Sequence, residues 1–430
     1  MIFDFVKILL TAISFFILIN GVKNAPNKYV QYLLCAFWLR FVLGAYHQIT
    51  YEPMIGPFSL TAFFSIFMAV LGLLIIPKKI LLLKNLLVLY LFFTTIILSA
   101  AYNGFTVSFI VVAIKWVYFL VVTCCLYLAI NQSSIALTFK PLLLAFFLPI
   151  SLQISSVLFG ARKVTDNLGN EFSYIGGYFH ESGFSMILVA FLIVLSLLRN
   201  DKVKYQTLLF IVGAVGIFLT NYRTAIIAAL PVLVIYFFSK ADAKIASKYR
   251  PFFILVFSFI SLTLIAAFFA FNQDRFSDIN TVLGSIENLI KAPLYYTELE
   301  KDLFSARIYI WSQYLSAFFE ADGWTQLFGF GPESYRGIFD IYAHNTFVSF
   351  LYEYGYLGLS IFIVFNALLL KNAFLLPNKE ISQRMFYSLL GFLTLNMATM
   401  PLWALEGVII YAILVSVIIS KRAINTGREV

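Results

Sequence analysis

"TVSFIVVAIKWVYFLVVTCCLYLAI", residues 106–130, carries one charge, Lys115, in an otherwise apolar run. At about 1.5 Å per residue, a helix of this length is longer than the roughly 30 Å hydrocarbon core of a bilayer. Comparable runs sit at 5–20, 28–46, 58–76, 80–100, 137–159, 181–198, 206–219, 224–238, 252–271, 356–370, 385–399 and 405–419. The 430 residues are 61% hydrophobic and 12% charged, which leaves more apolar surface than a soluble domain can hide. The expected fold is therefore all-α: a polytopic integral membrane protein of about 12–13 transmembrane helices with one large loop outside the membrane.

The net charge of +9 is unevenly placed along the chain. Lys78 and Lys79; Arg199, Lys202 and Lys204; Lys240, Lys244, Lys248 and Arg250; Lys371, Lys379 and Arg384; and Lys421 and Arg422 mark alternate connections. By the positive-inside rule these connections are cytoplasmic, so the excess reports orientation and needs no acidic partner. The other face then holds the 160–180 loop, the "TNYR" turn and the long stretch from Asn272 to Ala343. The chain divides into an N-terminal bundle, 1–271, a large outer loop with an amphipathic helix, 272–343, and C-terminal helices, 344–430. Thirteen spans would put the N-terminus outside. The first run, lacking a small-residue cleavage site, is read as a retained helix.

Cys35, Cys124 and Cys125 lie in apolar runs, with no metal spacing and no disulfide framework. Walker loops, dinucleotide fingerprints, zinc spacings and serine elbows are absent from the sequence, so no cofactor, no metal and no nucleic-acid partner are expected.

The outer loop reads as a helix over "SARIYIWSQYLSAFF", with Arg307, Trp311, Leu315 and Phe318 on one face. "FGFGPES" then breaks the helix with Gly329, Gly331 and Pro332. "YAHNTFVSFLYEYGYLGLS", 342–360, follows; on one continuous helix His344 would share its face with Leu351, Gly355 and Gly358, whereas Glu353 points the opposite way. Glu353 is therefore read as structural, and Glu353→Gln as mild. His344 alone is either an interfacial residue at a helix start or a catalytic group. Arg223, in a tight turn between apolar runs, either snorkels to lipid headgroups or forms an anion site; Arg307 has the same two readings. Arg40 and Lys115 lie within spans, where an ionisable group marks a functional site or the partner of another buried charge. Of His180 and Glu181 at the start of a span, Glu181 is the candidate for a site, against a plain helix-start acid.

These pieces resemble the bacterial O-antigen polymerase and ligase superfamily. The resemblance rests on "GGYFHESGFSM" before a span, "TNYRTAI" after a later one, "ARIYIW" and "LFGFGPES" in the large loop, and "HNTFVSFLYEYGYLG", in that order over Ile175 to Leu370. It implies a GT-C-like helical enzyme of the bacterial inner membrane with its active site on the periplasmic side. The implied chemistry is metal-independent, inverting glycosyl transfer from a glycan on undecaprenyl pyrophosphate to a second glycan. Its implied partners are lipid-linked donor and acceptor, membrane lipids, a flippase and a chain-length regulator. On this resemblance Arg223 and Arg307 clamp the pyrophosphate and His344 acts on the acceptor hydroxyl. Asn345 fixes the helix start or the substrate, and Arg336, Glu181, Lys115 and Arg40 are supplementary binding residues. The "FHES" piece looks closer to polymerases of O-antigen, capsule or exopolysaccharide than to ligases that transfer polysaccharide to the lipid A core. A lipid-linked oligosaccharide flippase is the alternative from another class, although flippases lack one dominant outer loop.

Overall fold

The computed structural model describes residues 2–56, 58–164, 172–198, 203–242, 245–271, 291–302 and 306–420. Arg199, Lys202, Lys244, Lys421 and Arg422, part of the 160–180 loop and residues 272–290 of the large outer loop lie outside them.

The principal helices are α1 (Ile2–Lys23), α2 (Lys28–Ala45), α3 (Leu60–Ile75), α4 (Leu87–Asn103), α5 (Val107–Gln132), α6 (Ile135–Leu142), α7 (Phe147–Leu158), α8 (Glu181–Leu197), α9 (Gln206–Leu219) and α10 (Arg223–Asp242). They continue with α11 (Arg250–Phe271), α12 (Arg307–Phe319), α13 (Gly323–Phe328), α14 (Thr346–Phe374), α15 (Lys379–Ala398) and α16 (Leu405–Ile419). Among the described residues, strands occur only as two short hairpins, Pro53–Ile55 with Phe58–Ser59 and Lys163–Val164 with Phe172–Ser173. This is an all-α polytopic membrane protein.

Among the described residues, six helical segments are long and apolar enough to cross a membrane, and five shorter apolar helices accompany them. Helices α2 and α15 have the length but are more polar. The sequence places the span before Lys371 at 356–370; the helical stretch there runs from Thr346 to Phe374 but is interrupted at non-helical Gly355, so its second piece starts where the span was expected and a first piece precedes it. Polar residues at its start, capped by Asn345, extend it beyond the apolar stretch.

Two helices form the centre. Every residue of α16 is buried, as is all of α8 from Phe184 onward; these two helices are apolar on all sides and are covered by other helices on all sides. Tyr411 of α16 stacks between Phe119 of α5 and Phe392 of α15, at 5.2 and 5.1 Å, and its hydroxyl donates to the side chain of Asn366 on α14 at 3.1 Å. The phenol is thereby satisfied where no water reaches it.

The loops collect at two ends of the bundle. One, the lysine end, gathers the connections before α2, α11 and α15, which carry Lys28, Arg250 and Lys379. The other, the loop end, holds the large loop and the starts of α8, α10, α12 and α14. Helix α1 begins at the loop end too: Lys7 lies 4.6 Å over the Tyr46 ring, Thr11 hydrogen-bonds the Tyr46 hydroxyl at 3.0 Å, and the Phe3 ring lies against Gly177.

Candidate functional site

Helix α12 fixes the chain that leads to His344. It buries Ile310, Tyr314 and Phe318, one position away from the stripe expected from the sequence, because Trp311 turns instead toward the returning chain. The Trp311 Nε1–H donates to the Ala343 carbonyl at 2.8 Å, and the Tyr314 hydroxyl donates to the Ile341 carbonyl at 3.0 Å. With both carbonyls held, His344 takes a left-handed backbone, φ 50°. Asn345 then caps α14, its Oδ1 accepting from Phe347 N at 2.9 Å and Val348 N at 3.2 Å. Of the two roles the sequence leaves open for Asn345, the geometry provides the helix start.

The His344 ring packs on Tyr342, with centroids 4.0 Å apart. Burial, the nearby Arg307 guanidinium and His180 push its pKa down to about 4, so the free protein holds a neutral imidazole at pH 7. Tyr342 is raised to about 12 by burial, with Tyr222 adding to the rise and Arg307 opposing it. Tyr342 thus links three segments: Arg307 at the start of α12, His344 before α14, and Tyr222, which immediately precedes Arg223 at the start of α10.

Backbone strain collects at the same places. Five described non-glycine residues have positive φ, namely Tyr205, Asn221, Ala306, Glu333 and His344, and all but Tyr205 lie in the motifs of this region. Such conformations cost about 1–3 kcal/mol each and cluster where function dictates the backbone. Ala306, at the N-cap of α12, makes no side-chain cap hydrogen bond, while an arginine occupies the first helical position. A cation there opposes the helix dipole, by roughly 0.3–1 kcal/mol, until an anion arrives.

His180 stands at the edge of this group, and Glu181 lies beside it, Oε2 3.5 Å from the His180 Nδ1. The Nδ1 of His180 accepts the Ser182 N–H at 3.1 Å as the cap of α8, so its ring proton sits on Nε2. Half-exposed and held below its usual pKa by burial, it contributes to the field at His344. Glu181 is buried, with Lys163 Nζ at 3.0 Å and the Ser173 hydroxyl at 3.2 Å from Oε1 and the His180 Nδ1 at 3.5 Å from Oε2. Adjacent residues at a helix start face differently, and only the tertiary loop decides which one meets the site.

The single continuous face drawn from His344 to Gly358 does not exist. Helix α14 breaks at Gly355, φ 66°, and His344 precedes the helix altogether. The break exposes carbonyls that the "FGFGPES" loop satisfies: Phe330 N donates to Tyr352 O at 2.9 Å and Gly331 N to Glu353 O at 3.0 Å. Gly329 and Gly355 permit that approach, since a Cβ on either would overlap a carbonyl across the gap. Glu353, 1% exposed, accepts from Glu333 N at 2.9 Å and from the Ser349 hydroxyl at 2.7 Å, a loop-holding role remote from orienting His344.

Lys115, Arg336 and Arg40 each pair with a carboxylate. Lys115 Nζ lies 3.0 Å from Glu333 Oε1, and Arg336 Nη2 lies 2.9 Å from Glu333 Oε2. Arg40 pairs with Glu406 at the start of α16 at 2.8 Å and reaches the Tyr51 hydroxyl at 3.3 Å. Glu333, Glu406 and Trp403 went unmarked in the sequence, where partners 218 and 366 residues apart leave no local signal. Among the described residues no cluster of three His, Cys, Asp or Glu side chains could hold a metal ion.

Residues 208–363 match the family model described as O-antigen ligase (Wzy_C). No curated protein matches the chain. The matched stretch contains Arg223, Arg307, Arg336, His344 and the break at Gly355.

Proposed function

We propose that the chain is a polysaccharide polymerase of the O-antigen polymerase and ligase superfamily, a reading supported by the match of residues 208–363 to the O-antigen ligase family model. It joins repeat units carried on undecaprenyl pyrophosphate at the periplasmic face of the bacterial inner membrane. The observation that carries this reading is the setting of His344: its ring packs on Tyr342 at 4.0 Å, and Trp311 and Tyr314 of the helix that Arg307 begins hold the chain on either side of Tyr342.

In the proposed reaction the acceptor hydroxyl gives its proton to the His344 imidazole as its oxygen forms a bond to the anomeric carbon of the donor. The bond from that carbon to the pyrophosphate oxygen breaks, and its electron pair leaves on the pyrophosphate. Arg223, Arg307 and the N–H groups at the start of α12 receive this growing charge. A single displacement inverts the anomeric centre. Arginine suits the task because its planar fork matches two phosphate oxygens at once.

An imidazole at about pKa 4 is a weak base in the free protein. Bound pyrophosphate changes that, since it neutralises the repelling Arg307 and adds negative charge beside His344. The base strengthens when the donor is in place, which ties proton transfer to a loaded site.

The family model's own description favours a second reading, a ligase that moves finished glycan to a lipid acceptor. Deleting the gene separates the two. A single repeat unit on the lipid A core identifies a lost polymerase; polymer retained on undecaprenyl pyrophosphate identifies a lost ligase. If repeat units instead fail to cross the membrane, the protein is a flippase and the enzyme reading fails.

A further inference from the structure

A row of aromatic rings leads from His344 along the surface of the large loop. Tyr342 packs on His344 at 4.0 Å, Trp403 lies 5.9 Å beyond Tyr342, and Tyr335 lies 5.0 Å beyond Trp403. The rings come from separate segments. Tyr335 and Tyr342 belong to the loop before α14, and Trp403 to the short turn Pro401–Trp403 that joins α15 to α16. The turn is fastened to the site, since the Thr346 hydroxyl donates to the Thr399 carbonyl at 3.4 Å. All three aromatics are half-buried, so each is anchored by packing and keeps part of its surface open.

The far end of the row is charged. Lys115 Nζ lies 5.7 Å from the Trp403 ring centroid and 3.0 Å from Glu333 Oε1, and Arg336, 62% exposed, holds the other Glu333 oxygen. Glu333 itself takes a left-handed backbone, φ 52°, and is pinned through its N–H to Glu353. A strained residue, a carboxylate with two cations and a run of open rings are more than an interfacial belt requires, because a belt needs no order among its rings.

We propose that Tyr342, Trp403 and Tyr335 form the subsite for the acceptor glycan, with successive sugar rings stacked along them and hydroxyls turned toward Lys115, Glu333 and Arg336. This rests on the reading of the protein as a glycan polymerase. Sugar rings present a C–H face that stacks on aromatics and an equatorial rim of hydroxyls that hydrogen-bonds charged groups. A row of rings edged by an ion network offers both. The terminal sugar comes to lie beside His344, where its hydroxyl is to be deprotonated. The donor pyrophosphate meets different elements, the starts of α10 and α12.

The test uses the full chain in lipid nanodiscs and, as probe, the water-soluble repeat-unit oligosaccharide released by mild acid from the polysaccharide of the same strain. Affinity is read by saturation-transfer NMR and transfer by conversion of lipid-linked repeat units. Trp403→Ala and Tyr335→Ala are each expected to weaken probe binding and raise the acceptor KM about five- to tenfold, with kcat within about twofold. Trp403→Phe restores most of the loss, and Arg223→Ala leaves probe binding unchanged. Equal binding by wild type and the Trp403→Ala, Tyr335→Ala double variant overturns the subsite, as does a loss confined to kcat. Should wild type bind the probe through these residues yet transfer no glycan, the subsite stands and the polymerase reading falls.

Discussion

Replacing Arg307 by Gln tests two consequences of one geometry. The first concerns the leaving group: removing one preorganised donor from a developing oxyanion costs about 10²–10³ in rate. The second concerns His344, whose pKa lies at about 4 against an ordinary 6.5. Burial, Arg307 and His180 all act in that direction, and burial outweighs Arg307. Of the difference of about 2.5, then, less than half belongs to the guanidinium, and its removal raises the pKa by no more than roughly 1.2. In wild type the acid limb of kcat/KM falls only near pH 4, leaving a flat profile from about pH 5.5 to 7. In Arg307→Gln the limb moves up toward pH 5. Arg307→Lys keeps the charge and loses the fork, so the limb stays near pH 4 while the rate falls about tenfold. The assay is conversion of lipid-linked repeat units in proteoliposomes at buffered pH from 3 to 8, with the limb fitted on both sides. A wild-type rate in Arg307→Gln, or a reduced rate with the limb left near pH 4, refutes the reasoning. The same depression carries a stability term: the unfolded chain takes up the His344 proton near pH 6.5 and the folded chain near pH 4. Native stability at this residue is therefore greatest above pH 6.5 and declines as pH falls toward 4.

Gly355→Ala forces a side chain into a left-handed backbone and against the Leu327 carbonyl. A loss of at least about 2–3 kcal/mol is expected, read as a lower thermal midpoint in detergent and faster proteolysis of the 326–336 loop; an unchanged midpoint would remove the docking role given to the helix break. Arg40→Leu leaves Glu406 buried without its cation and costs about 3–5 kcal/mol, whereas Arg40→Leu combined with Glu406→Leu recovers most of it. A double variant as unstable as the single one would mean that the pair does more than neutralise itself.

Membrane helices were readable because they are long and apolar, a local property. Arg223, Arg307 and His344 could be singled out because each is polar at an apolar boundary. What could not be read is who meets whom. The ion pair that holds Glu181 depends on the pairing of Lys163–Val164 with Phe172–Ser173, which the sequence around 181 does not announce. The shared helical face of His344 and Gly358 assumed an unbroken helix, and the break at Gly355 is made by a loop more than twenty residues upstream. Arg40 and Lys115 were marked as unusual without their partners, because Glu406 and Glu333 are distant in sequence. Trp403 lay hidden in a three-residue turn between two apolar helices.

The central claim is that His344 takes the acceptor proton while undecaprenyl pyrophosphate departs. Purified protein in proteoliposomes, supplied only with its lipid-linked repeat unit, tests this by following release of undecaprenyl pyrophosphate together with growth of the glycan. Wild type should release one pyrophosphate carrier for each new glycosidic bond, and His344→Ala, folded and inserted as wild type, should lose both by about 10²–10⁴-fold. Chain growth in His344→Ala at the wild-type rate, or growth without release of the carrier, would contradict the account.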